Sequence, residues 1–202
     1  MPKIDALLFD LGGIVIDIDF RRTVARWAEL AERDAAELHQ RIVVDATYHA
    51  YERGEIGCSE FFQYLKSSLD LDLGEDQIRD GWNAIFIGEM PGMAELLAAA
   101  AARFPLYLLS NTNRTHEIFW AREYAGPLKH FQKLFVSSTI GLRKPDWACY
   151  DRVVREIGVP AGGIMFFDDV RENVEGARAA GLVGVHAPAT ADVRRALNTL
   201  GL

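Results

Sequence analysis

The sequence predicts an α/β fold: a doubly wound parallel sheet interrupted by an all-α insert. Three observations carry this. From residue 106 onward, short apolar runs alternate with segments of helical spacing, the rhythm of a parallel sheet covered by helices. One further apolar run, Ala6–Phe9, stands alone near the start. Between the two, residues 21 to about 88 show helical spacing and no convincing strand.

Taken in order, Ala6 to Phe9 are all apolar and suit a strand buried on both faces. Asp10 ends that run, and Gly12 and Gly13 let the backbone turn and approach a ligand. Ile14 to Phe20 changes from apolar to apolar–acidic alternation and reads as a ribbon leaving the core. In the insert, Val24, Trp27, Ala28 and Ala31 form one helical face, and Asp34 with Glu37 resembles a capping box. Phe61, Phe62, Leu65 and Leu69 mark a third helix, and Ile78, Trp82, Ile85 and Phe86 a fourth. Pro91 suits the first turn of a helix running to Arg103. Strands are then expected at 106–109, 134–137, 164–167 and 183–186, with helices near 114–121, 147–157 and 172–180 and from Ala191. The expected division is a core of residues 1–17 and 89–202 and a helical insert of residues 18–88, with four or so helices.

Half the residues are apolar and a quarter charged, as in an ordinary globular protein, and the net charge is −7. With no basic excess, nonspecific nucleic-acid binding is disfavoured, and an anionic ligand must be attracted locally. Cys58 and Cys149 have no metal-ligand spacing and suggest a reducing compartment. Asp5, Asp10, Asp17 and Asp19 break the first apolar run, so it is neither a signal peptide nor a membrane span. The expectation is a cytoplasmic protein, monomer or homodimer, whose partner is a small molecule and not nucleic acid or membrane.

Four stretches lie at or just past the C-terminal ends of strands, where open α/β sheets bind ligands. The first holds Asp10. The second, Ser110-Asn111-Thr112-Asn113, offers a hydroxyl and helix-opening N–H groups to an anion, or simply an N-cap. The third, Arg143-Lys144-Pro145, can aim one ammonium inward. The fourth, Asp168-Asp169, sets two like charges side by side after a buried strand. A helix cap explains one of them, and a shared cation explains both. Together they suit a divalent cation and a phosphate at once, with a carboxylate attacking phosphorus.

These residues resemble the haloacid dehalogenase (HAD) superfamily of phosphatases, with its four motifs in order: Phe9-Asp10-Leu11-Gly12-Gly13, Leu109-Ser110-Asn111-Thr112, Arg143-Lys144-Pro145, and Phe167-Asp168-Asp169 with Asn173. The resemblance spans the whole chain and implies a Rossmann-like, HAD-like core with a type-one helical cap. Asp10-Leu11-Gly12 with Ile16-Asp17-Ile18-Asp19-Phe20, Glu52-Arg53-Gly54-Glu55-Ile56, and Ser110-Asn111-Thr112-Asn113-Arg114 with His116 look most like the α-D-glucose-1-phosphate phosphatase type. The implied roles are Asp10 as nucleophile and metal ligand, Asp169 as a Mg²⁺ ligand, and Asp168 as a ligand or an orienter of Lys144. Asn173 would support that set. Ser110 and Asn111 would hold phosphate, and Lys144 would bridge phosphate and nucleophile. Glu52, Arg53, Arg114 and His116 are candidate substrate contacts.

One position departs from the resemblance. Most phosphatases of the superfamily carry a second Asp two residues after the nucleophile, as general acid and, through its carbonyl, metal ligand. Here Gly12 keeps only the carbonyl. A positioned acid is typically worth about 10²–10⁴-fold. A leaving group such as an anomeric hydroxyl eases its loss. The expected function is therefore a Mg²⁺-dependent phosphatase of a small phosphorylated metabolite such as glucose 1-phosphate. The alternatives are a metal-independent 2-haloacid dehalogenase and a weakly catalytic phosphate-binding module.

Overall fold

The computed structural model describes residues 3–202. Its core is a parallel sheet of five strands: β1 (Ala6–Phe9), β4 (Leu106–Ser110), β5 (Phe131–Val136), β6 (Ile164–Asp168) and β7 (Val183–His186), in the order β5-β4-β1-β6-β7. The apolar run at residues 6–9 is central because it must be covered on every side. Leu8 lies between Tyr107 of β4 and Phe166 of β6. Alternation splits the sheet's faces. Leu7, Phe9, Leu108 and Phe167 point into a cluster with Leu97, Trp120 and Val193. Ala6, Leu8, Leu109 and Phe166 point into another with Tyr150, Val153 and Ala177.

A separate two-stranded ribbon pairs β2 (Ile16–Ile18) antiparallel with β3 (Phe86–Glu89), placing Ile18 opposite Phe86. The exit ribbon is thus half of a pair, and Phe86 is not on a helix. The helix Glu75–Asn83 ends before it, and Phe86 turns half-buried into the ribbon. Between the two strands lie five helices, Phe20–Ala31, Ala35–Arg41, Ala46–Glu52, Cys58–Leu69 and Glu75–Asn83. Ala46–Glu52 has no apolar stripe in sequence, only Tyr48 and Tyr51, yet the Asp45 carboxylate caps it at Tyr48 N (2.9 Å). The insert has its own core, in which Trp27 stacks on Trp82 at 6.0 Å beside Phe61, Phe62, Leu65 and Ile78. The next helix begins at Met93, so Pro91 lies in the turn before it.

Insert and core meet along a buried polar seam. The Tyr51 and Thr115 hydroxyls are 2.6 Å apart, and Trp82 Nε1 donates to Asn113 Oδ1 at 3.3 Å. Gly54 (φ +70°) presses against the core there: a Cβ would fall 2.2 Å from the Ser138 carbonyl oxygen. Among the described residues no helix is long and apolar enough to cross a membrane.

Candidate active site

Because β1, β4 and β6 are parallel, their C-terminal ends share one edge, and this brings Asp10, Ser110 and Asp168 together from distant sequence. The Asp10 N–H donates to Phe167 O at 2.8 Å, which extends the ladder one residue and fixes where the carboxylate emerges. Lys144 arrives from the loop after β5. Its backbone is held by the Asn111 side chain in a two-way bond: Lys144 N donates to Asn111 Oδ1 (2.8 Å), and Asn111 Nδ2 donates to Lys144 O (2.9 Å). The ammonium, 1% exposed as a side chain, then donates to Asp10 Oδ1 and Asp168 Oδ2, each at 2.6 Å. The Asn111 side chain is therefore a clamp on the Lys144 backbone, while the residue still lines the cavity where it was expected to hold phosphate.

Asp168 is fully buried and saturated. Oδ1 accepts from Val170 N (2.8 Å), Oδ2 from Lys144, and Asn173 Nδ2 lies 3.1 Å from both oxygens. Of its two possible roles, ligand or orienter, this geometry suits the orienter of Lys144. Asp169 is more open, with its carbonyl accepting from His186 Nε2 at 2.9 Å. Oxygens of Asp10, Asp168 and Asp169 lie within 4.8 Å of one another. Gly13 makes this approach possible: at φ +77°, a Cβ there would fall 2.5 Å from Asp169 Oδ2.

The electrostatics follow from burial and crowding. Burial, opposed by Lys144 and reinforced by Asp168 and Asp169, pushes the Asp10 carboxyl up to about 7. Burial and Asp168 also push Asp169 up. Burial disfavours the Lys144 charge, but Asp10 and Asp168 outweigh it and hold that pKa above its ordinary value.

The carboxylates open into a cavity of about 550 Å³. Ser110, Asn111 and Lys144 line it from the core, and Tyr48, His49 and Glu52 line it from the helix Ala46–Glu52. Sequence reading missed Tyr48 and His49 together with their helix. The available signal was Asp45 as its cap. Arg143 was also missed as a wall residue. Glu52 is 6% exposed and accepts from Arg143 Nε at 2.9 Å. Burial pushes its carboxyl up against the pull of Arg143.

Arg114 and Arg53, expected as substrate contacts, do not line the cavity. Arg114 is drawn to Glu117 (2.9 Å) and Arg53 to Glu55 (2.6 Å). His116 borders the cavity but is occupied. Nε2 lies 3.0 Å from Trp82 O, Asn113 Nδ2 lies 3.2 Å from Nδ1, and the ring stacks on Trp82 at 4.8 Å. A carbonyl on one nitrogen and an amide donor on the other fix the neutral Nε2–H tautomer. Burial lowers its pKa to about 4. No ring nitrogen is left for a ligand, which corrects its expected role as well.

A model of the haloacid dehalogenase-like hydrolase family matches residues 4–181. The chain belongs to the haloacid dehalogenase-like hydrolases. It is similar to the D-ribitol-5-phosphate phosphatase of Bacteroides thetaiotaomicron, 24% identical over 96% of this chain and 97% of that protein. It is also similar to the enolase-phosphatase E1 of Stenotrophomonas maltophilia, 31% identical over 79% and 66%. Its fold is similar to that of a solved HAD family enzyme from B. thetaiotaomicron in complex with magnesium and inorganic phosphate. There the TM-score is 0.78 at 23% identity, covering 89% and 91% of the two chains.

Within this haloacid dehalogenase-like hydrolase, the Gly12 departure has a steric counterpart. A Cβ at position 12 would fall 2.7 Å from Ile18 Cδ1. The ribbon residue Ile18 thus fills the space in which a carboxylate side chain would begin.

Proposed function

We propose that this haloacid dehalogenase-like hydrolase is a Mg²⁺-dependent phosphatase of a small phosphorylated metabolite, a sugar or polyol phosphate such as glucose 1-phosphate. The carrying observation is one ammonium, Lys144, bridging Asp10 and Asp168, with Asp169 beside them. Three crowded carboxylates with a raised Asp10 and Asp169 are short of positive charge, and their hard oxygens fit a divalent cation. Asp10, Asp169 and the Gly12 carbonyl would hold it, with Asp168 behind Lys144. Bound there, Mg²⁺ supplies charge neutralisation for a phosphoryl group.

The chain's own residues supply the rest. An Asp10 oxygen attacks phosphorus, the ester P–O bond breaks with the alcohol leaving and taking its proton from solvent water, and an aspartyl-phosphate forms. Water then attacks that phosphorus, which releases inorganic phosphate and restores the carboxylate. Lys144, held protonated by its two aspartates, stabilises charge on the transferring group. Ser110 lines the same wall and offers its hydroxyl to the phosphate. The helical insert, residues 18–88, acts as the cap that supplies the far wall. A leaving hydroxyl at an anomeric carbon is more acidic than an ordinary alcohol, which suits a site with Gly12 in place of an acid. A metal-independent dehalogenase has no use for the third carboxylate beside the nucleophile. The test is hydrolysis of a panel of sugar and polyol phosphates with Mg²⁺, with chelator, and in Asp10→Asn. Turnover surviving chelator or the substitution would end this reading.

A further inference from the structure

Arg143 has no role in the chemistry above, yet it lines the cavity next to Lys144. Its loop is fixed, since the Asn111 clamp sets the backbone of the following residue. Its partner Glu52 comes from the insert, 91 residues away in sequence, so the pair is the point where insert and core jointly build the cavity wall. Both contacts land on one carboxylate oxygen: Arg143 Nε donates to Glu52 Oε2 at 2.9 Å, and Nη2 lies 2.9 Å from the same atom. Glu52 Oε1 takes neither. A guanidinium carries five N–H groups, and this contact leaves the Nη1 pair uncommitted.

The pair therefore sets a charged donor and a charged acceptor side by side in the cavity wall, with the Tyr48 hydroxyl next to Glu52, from side chains 20% and 7% exposed. A hydroxyl satisfies both at once, donating to the carboxylate and accepting from the guanidinium. An alkyl chain satisfies neither, and leaves both desolvated with only each other as charged partner. Sites built to bond a hydroxyl reject analogues lacking it far more strongly than apolar pockets reject an extra methylene.

We propose that the Arg143–Glu52 pair is a specificity determinant that reads hydroxyl groups on the body of the phosphate ester. It selects polyhydroxylated esters over alkyl ones of the same length. This rests on the phosphatase reading and sharpens its substrate class.

The experiment compares D-ribitol 5-phosphate with 1-pentyl phosphate, matched in carbon number, on the Mg²⁺-loaded enzyme. Wild type is expected to favour ribitol 5-phosphate by at least about 10² in kcat/KM. The double variant Arg143→Leu/Glu52→Met removes the pair without stranding one charge. It is expected to lower kcat/KM at least tenfold more for ribitol 5-phosphate than for pentyl phosphate. Arg143→Lys keeps the charge but not the fork, and is expected to erode the preference in the same direction should the double variant not fold. Equal losses on both esters, or a wild type indifferent between them, would overturn the proposal. If neither ester is hydrolysed, the phosphatase reading is judged on the sugar and polyol phosphate panel, and calorimetry on Asp10→Asn still decides this one. Tighter binding of ribitol 5-phosphate than of pentyl phosphate supports it, and equal dissociation constants overturn it.

Discussion

Lys144 Nζ stands 2.6 Å from Asp168 Oδ2, on a side chain that Asn173 and the Val170 N–H hold from behind. Asp168 is thereby the anvil against which the ammonium is set before it reaches Asp10. Asp168→Asn should keep the fold but release Lys144, lowering kcat about 10²-fold or more with a smaller change in KM. Steady-state kinetics beside a melting curve checks this. A KM effect alone would contradict it.

Asp10→Asn should lower turnover by at least about 10³-fold without loss of stability, because it also relieves a crowded, buried carboxylate. The melting temperature should hold or rise.

Mg²⁺ should raise the melting temperature of the wild type, by the equivalent of about 2.7 kcal/mol at a hundredfold excess over the dissociation constant. Asp169→Ala should abolish that shift. A shift unchanged in Asp169→Ala would place the ion elsewhere.

Gly13→Ala should strain a backbone at φ +77° and push the Asp169 carboxylate away. The expected cost is about 1–2 kcal/mol of stability together with a weakened Mg²⁺ response. Gly12→Asp is the informative opposite. With Ile18→Ala to clear the 2.7 Å contact, it should speed poor leaving groups more than p-nitrophenyl phosphate. Equal effects on both would mean the new carboxyl does not reach the leaving oxygen.

His116 makes a pH prediction with a definite sign. Its folded pKa, about 4, lies below the unfolded value of about 6.5, so the unfolded chain binds the proton first. Its contribution is intact above 6.5, is lost as pH falls from 6.5 to 4, and levels off below. The full loss is about 3 kcal/mol. Stability measured by urea unfolding across that window should fall more steeply in wild type than in His116→Gln. Parallel curves would show that His116 is not the group responsible.

Much of this was legible in the linear order. Ala6–Phe9 was readable as a strand buried on both faces because every one of its side chains is apolar, and it lies in the middle of the sheet. The helix Trp147–Ile157 and the strand Val183–His186 fall where their spacing put them. The Asp168-Asp169 doublet was readable because two adjacent carboxylates after a buried strand need an explanation that a cap alone does not give. The helix Ala46–Glu52 was not legible. Its stability comes from burying Tyr51 and Glu52 against distant partners and not from a periodic stripe of its own.

The sequence by itself determined the core strands, the helical character of the insert, and which carboxylates and which lysine gather at one edge. Local periodicity and parallel connection are enough for that. Only the tertiary structure decided that Asn111 grips a backbone, that His116 is consumed by Trp82 and Asn113, that Arg114 turns to Glu117, and that Arg143 meets Glu52. Apart from the Arg114–Glu117 pair, which is one helical turn apart, those outcomes depend on which long-range partner reaches each polar group first. That is a property of packed surfaces, and no spacing along the chain encodes it.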